Sequence, residues 1–105
     1  MTSKLLALHI RAKLDVEVAL SYYRSLMSPL VSDKFVAVLE KSFNFLIKYP
    51  KAGSLRLGEQ IGRSDVRSWP LNKFPYLVVY KEIPDQVDVF RVLHQRRDLV
   101  KWMQD

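Results

Sequence analysis

Residues 76–94, YLVVYKEIPDQVDVFRVLH, decide the reading of the fold. Two runs rich in Val, Ile, Tyr and Phe, at 76–83 and 86–94, flank Pro84-Asp85, a pair suited to a tight turn. Such runs joined by so short a connection form adjacent antiparallel strands. Upstream, Val66 to Leu71 is a further short strand, which Pro70 confines to an edge or an end because proline lacks the amide that a ladder needs. The three together make an antiparallel meander.

Working toward the N-terminus, residues 51–65 hold all three glycines with little periodicity and read as an exposed connection. Before them the period becomes helical. Val31, Phe35, Val38, Leu39, Ser42, Phe43 and Leu46 line one face of a helix over 29–49, opened by Ser28 as N-cap with Pro29 at the first helical position and closed by Tyr49-Pro50 and Gly53. Asp33 is placed in its first turn, where negative charge suits the helix dipole. A helix over 12–27 carries Leu14, Val18, Tyr22 and Leu26 every four residues, widened by Ala19 and Tyr23, and this stripe is expected to face the core. With almost no connection between them, the two helices form an antiparallel hairpin. Lys4 to Ile10, KLLALHI, is apolar enough for a buried strand. The tail from Asp98 to Asp105 has room for one short helix. The expected architecture is α+β, in the order β-α-α-β-β-β, with the hairpin packed on one face of a small twisted sheet and the other face partly open.

The 105 residues suit a single domain spanning 1–105, and 49% hydrophobic against 27% charged residues is the balance of a globular chain rather than a disordered one. The absence of cysteine excludes a disulfide framework and thiolate metal sites. His9 and His94 are too few for a histidine zinc site without carboxylate help, so neither metal nor cofactor is expected. MTSKLLALHIRAK is too short for a signal peptide, and no run approaches the roughly eighteen apolar residues of a membrane span. A cytoplasmic protein with no membrane partner is expected.

A formal charge of +6 and a pI near 9.7 favour an anionic partner. Residues 51–73 and 91–101 each contribute +3, whereas 74–90 carries −2. With meander order, Arg67 lies two strands from Arg91, roughly 10 Å away at about 4.8 Å per strand. The two basic segments are then expected to border one cationic hollow holding Arg67, Arg91, His94, Arg96 and Arg97, with Trp102 as a partner anchor. The plainer alternative leaves Arg96 and Arg97 solvated or paired with Asp98, lets the stem of Arg91 cover an apolar edge, and gives His9 a structural role. Alternation places Asp88, Phe90, Val92 and His94 on one face and Val87, Val89, Arg91 and Leu93 on the other. Neither set is wholly apolar, which points to a strand whose far end leaves the core.

FPYLVVY at 74–80, joined to VDVFRVLHQRRD at 87–98, resembles the RelE/ParE superfamily of toxins from type II toxin–antitoxin modules. KYPKAG at 48–53 resembles that family's "hxPxxG" helix end, and Arg67 falls in the following strand, so the likeness spans nearly the whole chain. It implies the same α+β fold, a cognate antitoxin, and one of two targets: DNA gyrase for ParE-like members, or messenger RNA on the ribosome for RelE-like members. FPY with LHQRRD is closer to the ParE branch. The antitoxin is expected against Leu14, Val18, Tyr22 and Tyr23, with a further strand on the sheet edge. The nuclease alternative would use His94 as acid or base and Arg67, Arg91 and Arg96 on the phosphate. Against it, Leu77 stands where the nuclease pattern "YRxVY" has Arg, and no tyrosine follows the RRD. The reading therefore leans to a binding protein rather than an enzyme.

Overall fold

The computed structural model describes residues 4–104; the ends of the expected 1–105 domain, including the start of MTSKLLALHIRAK, lie outside them. The order is β1 (Leu5–Leu8), α1 (Ile10–Leu26), α2 (Pro29–Lys48), a 3₁₀ turn (Pro50–Ala52), α3 (Arg56–Gln60), β2 (Val66–Pro70), β3 (Tyr76–Ile83), β4 (Gln86–His94) and α4 (Leu99–Gln104). The four strands lie in the order β1-β4-β3-β2, with the meander antiparallel and β1 parallel to β4. No helix is long and apolar enough to cross a membrane among the described residues.

β1 is an edge strand and is only half-buried, and among the described residues no strand pairs with its outer side. The opposite edge, β2, is closed. Ser68 exchanges both backbone hydrogen bonds with Ser54 at 2.9 Å, the Val66 amide donates to the Arg63 carbonyl, and Pro70 has no amide to offer. Among the described residues, β1 alone therefore leaves an edge on which another strand can add.

The helices cover one sheet face. The Ser28 hydroxyl accepts from the Val31 amide at 3.2 Å, which caps α2 as its Ser-Pro start requires. Asp33 lies just past the first turn where it was expected, so no acid sits in that turn. Phe35 is fully buried and meets Tyr23, Phe74 and Tyr76 with ring centroids 5.3–5.4 Å apart. These tilted and edge-on contacts fix the crossing of the hairpin over the sheet.

α1 begins at Ile10 and is turned differently from the expected stripe. Ala12, Ala19 and Tyr23 face the core, with Val16 and Leu20 packed beside them, whereas Leu14, Val18, Tyr22 and Leu26 are exposed. The two alanines let the helix axis approach the sheet, and Asp15, tied to β4, sets the rotation.

A β-bulge explains the mixed pattern of β4. Val79 pairs with Arg91 but Tyr80 pairs with Val89, so Phe90 is the extra residue and the alternation slips there. Val87, Val89 and Val92 all face the helices, while Leu93 joins Leu57, Val66 and Val79 on the other face. The simple two-face division of residues 87–94 is thus overturned. The second face is not left bare either: α3, within the expected connection, buries Leu57, and α4 lays Leu99, Trp102 and Met103 over the sheet.

Candidate functional site

The KYPKAG turn is held down by two side chains. The Tyr80 hydroxyl donates to the Pro50 carbonyl at 2.7 Å and accepts from the Gly53 amide at 2.9 Å. Burial raises the Tyr80 pKa, so the phenol stays protonated to make that donation. A Cβ at Gly53 would strike the Tyr80 hydroxyl and come within 2.9 Å of the Ser68 carbonyl, which accounts for glycine at this position. Arg67 donates to the carbonyls of Lys51 and Gly53 at 3.0 and 2.9 Å. It is a clamp on this turn.

Arg91 is engaged elsewhere. β1 pairs only with Gln86–Val89, so the remainder of β4 has no strand on that side, and Asp15 of α1 takes its place. The Asp15 carboxylate accepts from Arg91 Nε at 2.8 Å, from Arg91 Nη2 at 2.9 Å and from the Val92 amide at 2.9 Å. These hydrogen bonds raise the Arg91 pKa. The bulge re-aims Arg91 so that its guanidinium reaches the helix.

Arg67 and Arg91 do not share a basin. Arg67 pairs with Tyr80 and Arg91 with Val79; adjacent residues of a strand point to opposite faces, so the two arginines do as well. The two-strand separation holds, but the common hollow fails because of this phase. Arg96 is exposed, and among the described residues its side chain has no hydrogen-bond partner, while its backbone amide donates to His94 Nδ1.

His94 caps the turn that follows it. Its Nδ1 accepts from the amides of Arg96 and Arg97 at 3.2 Å, its own amide donates to Asp98 Oδ2 at 3.1 Å, and Asp98 returns a backbone bond at 3.0 Å. Burial, then the neighbouring Arg97, lowers its pKa; Asp98 opposes and Arg96 adds to the lowering. With Nδ1 accepting, the neutral ring carries its proton on Nε2. Arg97 donates to the Tyr76 hydroxyl at 3.2 Å and lies 5.8 Å from the Tyr22 ring, linking this turn to α1. Burial also raises Tyr76, and raises Tyr23 to about 12.

Two surfaces remain. The first is a cleft of about 660 Å³ lined by His9, Ile10, Arg11, Ile61, Arg63, Phe90, Arg91 and Trp102. It gathers two of the expected residues, Arg91 and Trp102, with Arg11, Arg63 and Phe90, which sequence reasoning missed. The only signal for Phe90 was the broken alternation of its strand. The second surface is the outer side of α1, where Ile10, Leu14, Val18, Tyr22 and Leu26 are 68, 47, 64, 43 and 69% exposed. Tyr23, expected beside them as a partner contact, turns inward at 8%. Among the described residues no group of three His, Cys, Asp or Glu side chains could hold a metal ion.

The family model for the ParE toxin of type II toxin–antitoxin systems, parDE, matches residues 6–99. A solved structure titled "Chromosomal ParDE TA system from P. aeruginosa" contains a chain similar in fold, with a TM-score of 0.73 and 18% identity, over 88% of this chain and 96% of that one. A search of curated protein sequences finds no match. The order of strands and helices, the stapled turn after α2 and the family match over nearly all of the chain agree: this chain belongs to the ParE toxin family of type II toxin–antitoxin systems.

Proposed function

We propose that this toxin acts in the cytoplasm by binding and inhibiting DNA gyrase, and that a cognate antitoxin neutralises it by laying an apolar helix along α1. The observation that carries the antitoxin contact is the row Ile10, Leu14, Val18, Tyr22 and Leu26, five large apolar side chains exposed on one helix. At about 1.5 Å per residue the row runs roughly 24 Å, the length of four to five helical turns. A partner helix with apolar residues three and four apart would bury it. If the antitoxin also adds a strand, the open edge is that of β1, since Ser54 and Pro70 block β2.

Action by binding is supported by how the candidate catalytic groups are occupied. Arg67 clamps a turn, Arg91 is neutralised by Asp15, and Nδ1 of His94 is used by two backbone amides. The set His94, Arg67, Arg91 and Arg96 that RNA cleavage on the ribosome would need does not converge, which counts against the nuclease alternative. Pulse-labelling after induction tests the choice of target. DNA synthesis is expected to fall before protein synthesis; rapid arrest of translation with DNA synthesis intact would refute gyrase as the target. Co-expression with the antitoxin is expected to restore growth to cells making the native toxin and fail for Val18→Asp.

A further inference from the structure

The cleft between the start of α1, the bulge of β4, the end of α3 and α4 shares only Ile10 with the row proposed above for the antitoxin. Three arginines line it, Arg11, Arg63 and Arg91. Arg91 is offset by Asp15, but Arg11 and Arg63 have no carboxylate within 4.0 Å among the described residues. Of the other acids nearby, Asp88 sits 3.9 Å from His9 Nε2 and also accepts from the Gln86 amide group, and Asp65 sits 3.9 Å from Lys81 Nζ. The cations are interleaved with flat rings. Arg63 lies 5.2 Å and Lys81 5.7 Å from the centre of Phe90, His9 meets the same ring edge-on at 4.9 Å, and Trp102 also lines the cleft.

We propose that this cleft binds a nucleotide unit, its phosphate on Arg11 and Arg63 and its base against the rings of Phe90 and Trp102. Guanidinium forks match phosphate oxygens in pairs, and a π-face accepts any base without reading its edge. An acidic peptide would satisfy the guanidiniums but leave the ring surface unused. The volume suits a ligand of this size, since sites for small molecules run from roughly 300 to 1,000 Å³. The same chemistry is offered by a free nucleotide and by one residue of a single strand.

Trp102 provides the readout. In the full chain carrying Trp69→Phe, whose ring stacks on Phe45 at the opposite edge of the sheet, Trp102 is the sole tryptophan. Its fluorescence is titrated with ADP, inorganic phosphate, a twelve-residue oligothymidylate and a glutamate peptide of equal charge. Saturable quenching by ADP or the oligomer is expected, weakened about tenfold by each of Arg11→Gln and Arg63→Gln with circular dichroism unchanged. Phe90→Leu is expected to weaken ADP more than inorganic phosphate. For the oligomer, log K should fall with log salt at a slope of roughly −0.7, as one neutralised phosphate requires. Tighter binding of the oligomer identifies a strand as the source and tighter binding of ADP a free nucleotide; either upholds the site. It is overturned if neither quenches saturably, if the arginine variants bind as well as the parent, if Phe90→Leu affects ADP and phosphate alike, or if the glutamate peptide matches both nucleotides.

Discussion

Removing the Asp15 carboxylate should cost more stability than any other single change of an acidic residue in this chain. In Asp15→Ala, Arg91 loses both charge-assisted hydrogen bonds and the Val92 amide loses its only partner outside the sheet. Breaking a fully buried ion pair by deleting one partner costs about 3–5 kcal/mol, and leaving a buried amide unpaired about 1–3 kcal/mol. Here the two side chains are 15 and 17% exposed, so water can reach the abandoned guanidinium, and the expected loss is about 2–4 kcal/mol. In a domain stabilised by about 5–15 kcal/mol that is a large fraction. At about 4–8 °C per kcal/mol it lowers Tm by roughly 8–32 °C. Asp15→Asn keeps an acceptor for one amide without the charge and should lose about half as much. Urea denaturation followed by circular dichroism measures both. A double-mutant cycle with Arg91→Met separates the pair from its surroundings and should return a coupling of about 1–3 kcal/mol. An Asp15→Ala protein within about 0.5 kcal/mol of the parent, the range of an ordinary surface change, would refute the claim that this carboxylate locks α1 to β4.

Tyr80→Phe should destabilise by about 1–3 kcal/mol, since it deletes a donor to Pro50 and an acceptor for Gly53; amide exchange at residues 52–54 should accelerate with it, and unchanged protection there would contradict the staple. Gly53→Ala should be at least as damaging, because its methyl meets the Tyr80 ring and the Ser68 backbone; the urea midpoint reads this loss. His94 is held below its ordinary value of about 6.5 in the folded state, so its contribution is complete above pH 6.5 and is lost as the pH falls from there through the lowered value. Urea midpoints between pH 7.5 and 5 should therefore drop, and drop less in His94→Gln. Val18→Asp should leave Tm nearly unchanged, because the side chain is exposed, while abolishing the isolable complex with the antitoxin on size-exclusion chromatography.

The order of the four strands and the two long helices could be read directly because each of them announces its own period or punctuation, whereas α3 lay unread within the connection 51–65. Ser28-Pro29 starts a helix, Pro84-Asp85 turns a hairpin and Pro70 marks an edge, each through a local property of the backbone. The orientation of α1 was not legible for an equally physical reason. Both the Leu14–Val18–Tyr22–Leu26 row and the Ala12–Val16–Ala19–Tyr23 row have helical spacing, and hydrophobicity alone favours the larger residues. The smaller row wins because close approach to the sheet requires it, which frees the larger one for a partner. The candidate site failed at β4 because alternation assumes an unbroken ladder. One extra residue at Phe90 reversed the phase, carried Arg91 to Asp15, and left Arg67 on the other face. Arg63 was hidden in a connection whose course no local pattern sets, and it meets Phe90 only in the folded chain.

The most direct test of the toxin's proposed action is supercoiling of a relaxed plasmid by purified gyrase in the presence of the purified chain. Inhibition that rises with toxin concentration, and is relieved by the antitoxin when α1 is native but not when Val18 is Asp, is the predicted result. Full supercoiling at a large molar excess of correctly folded toxin would contradict it.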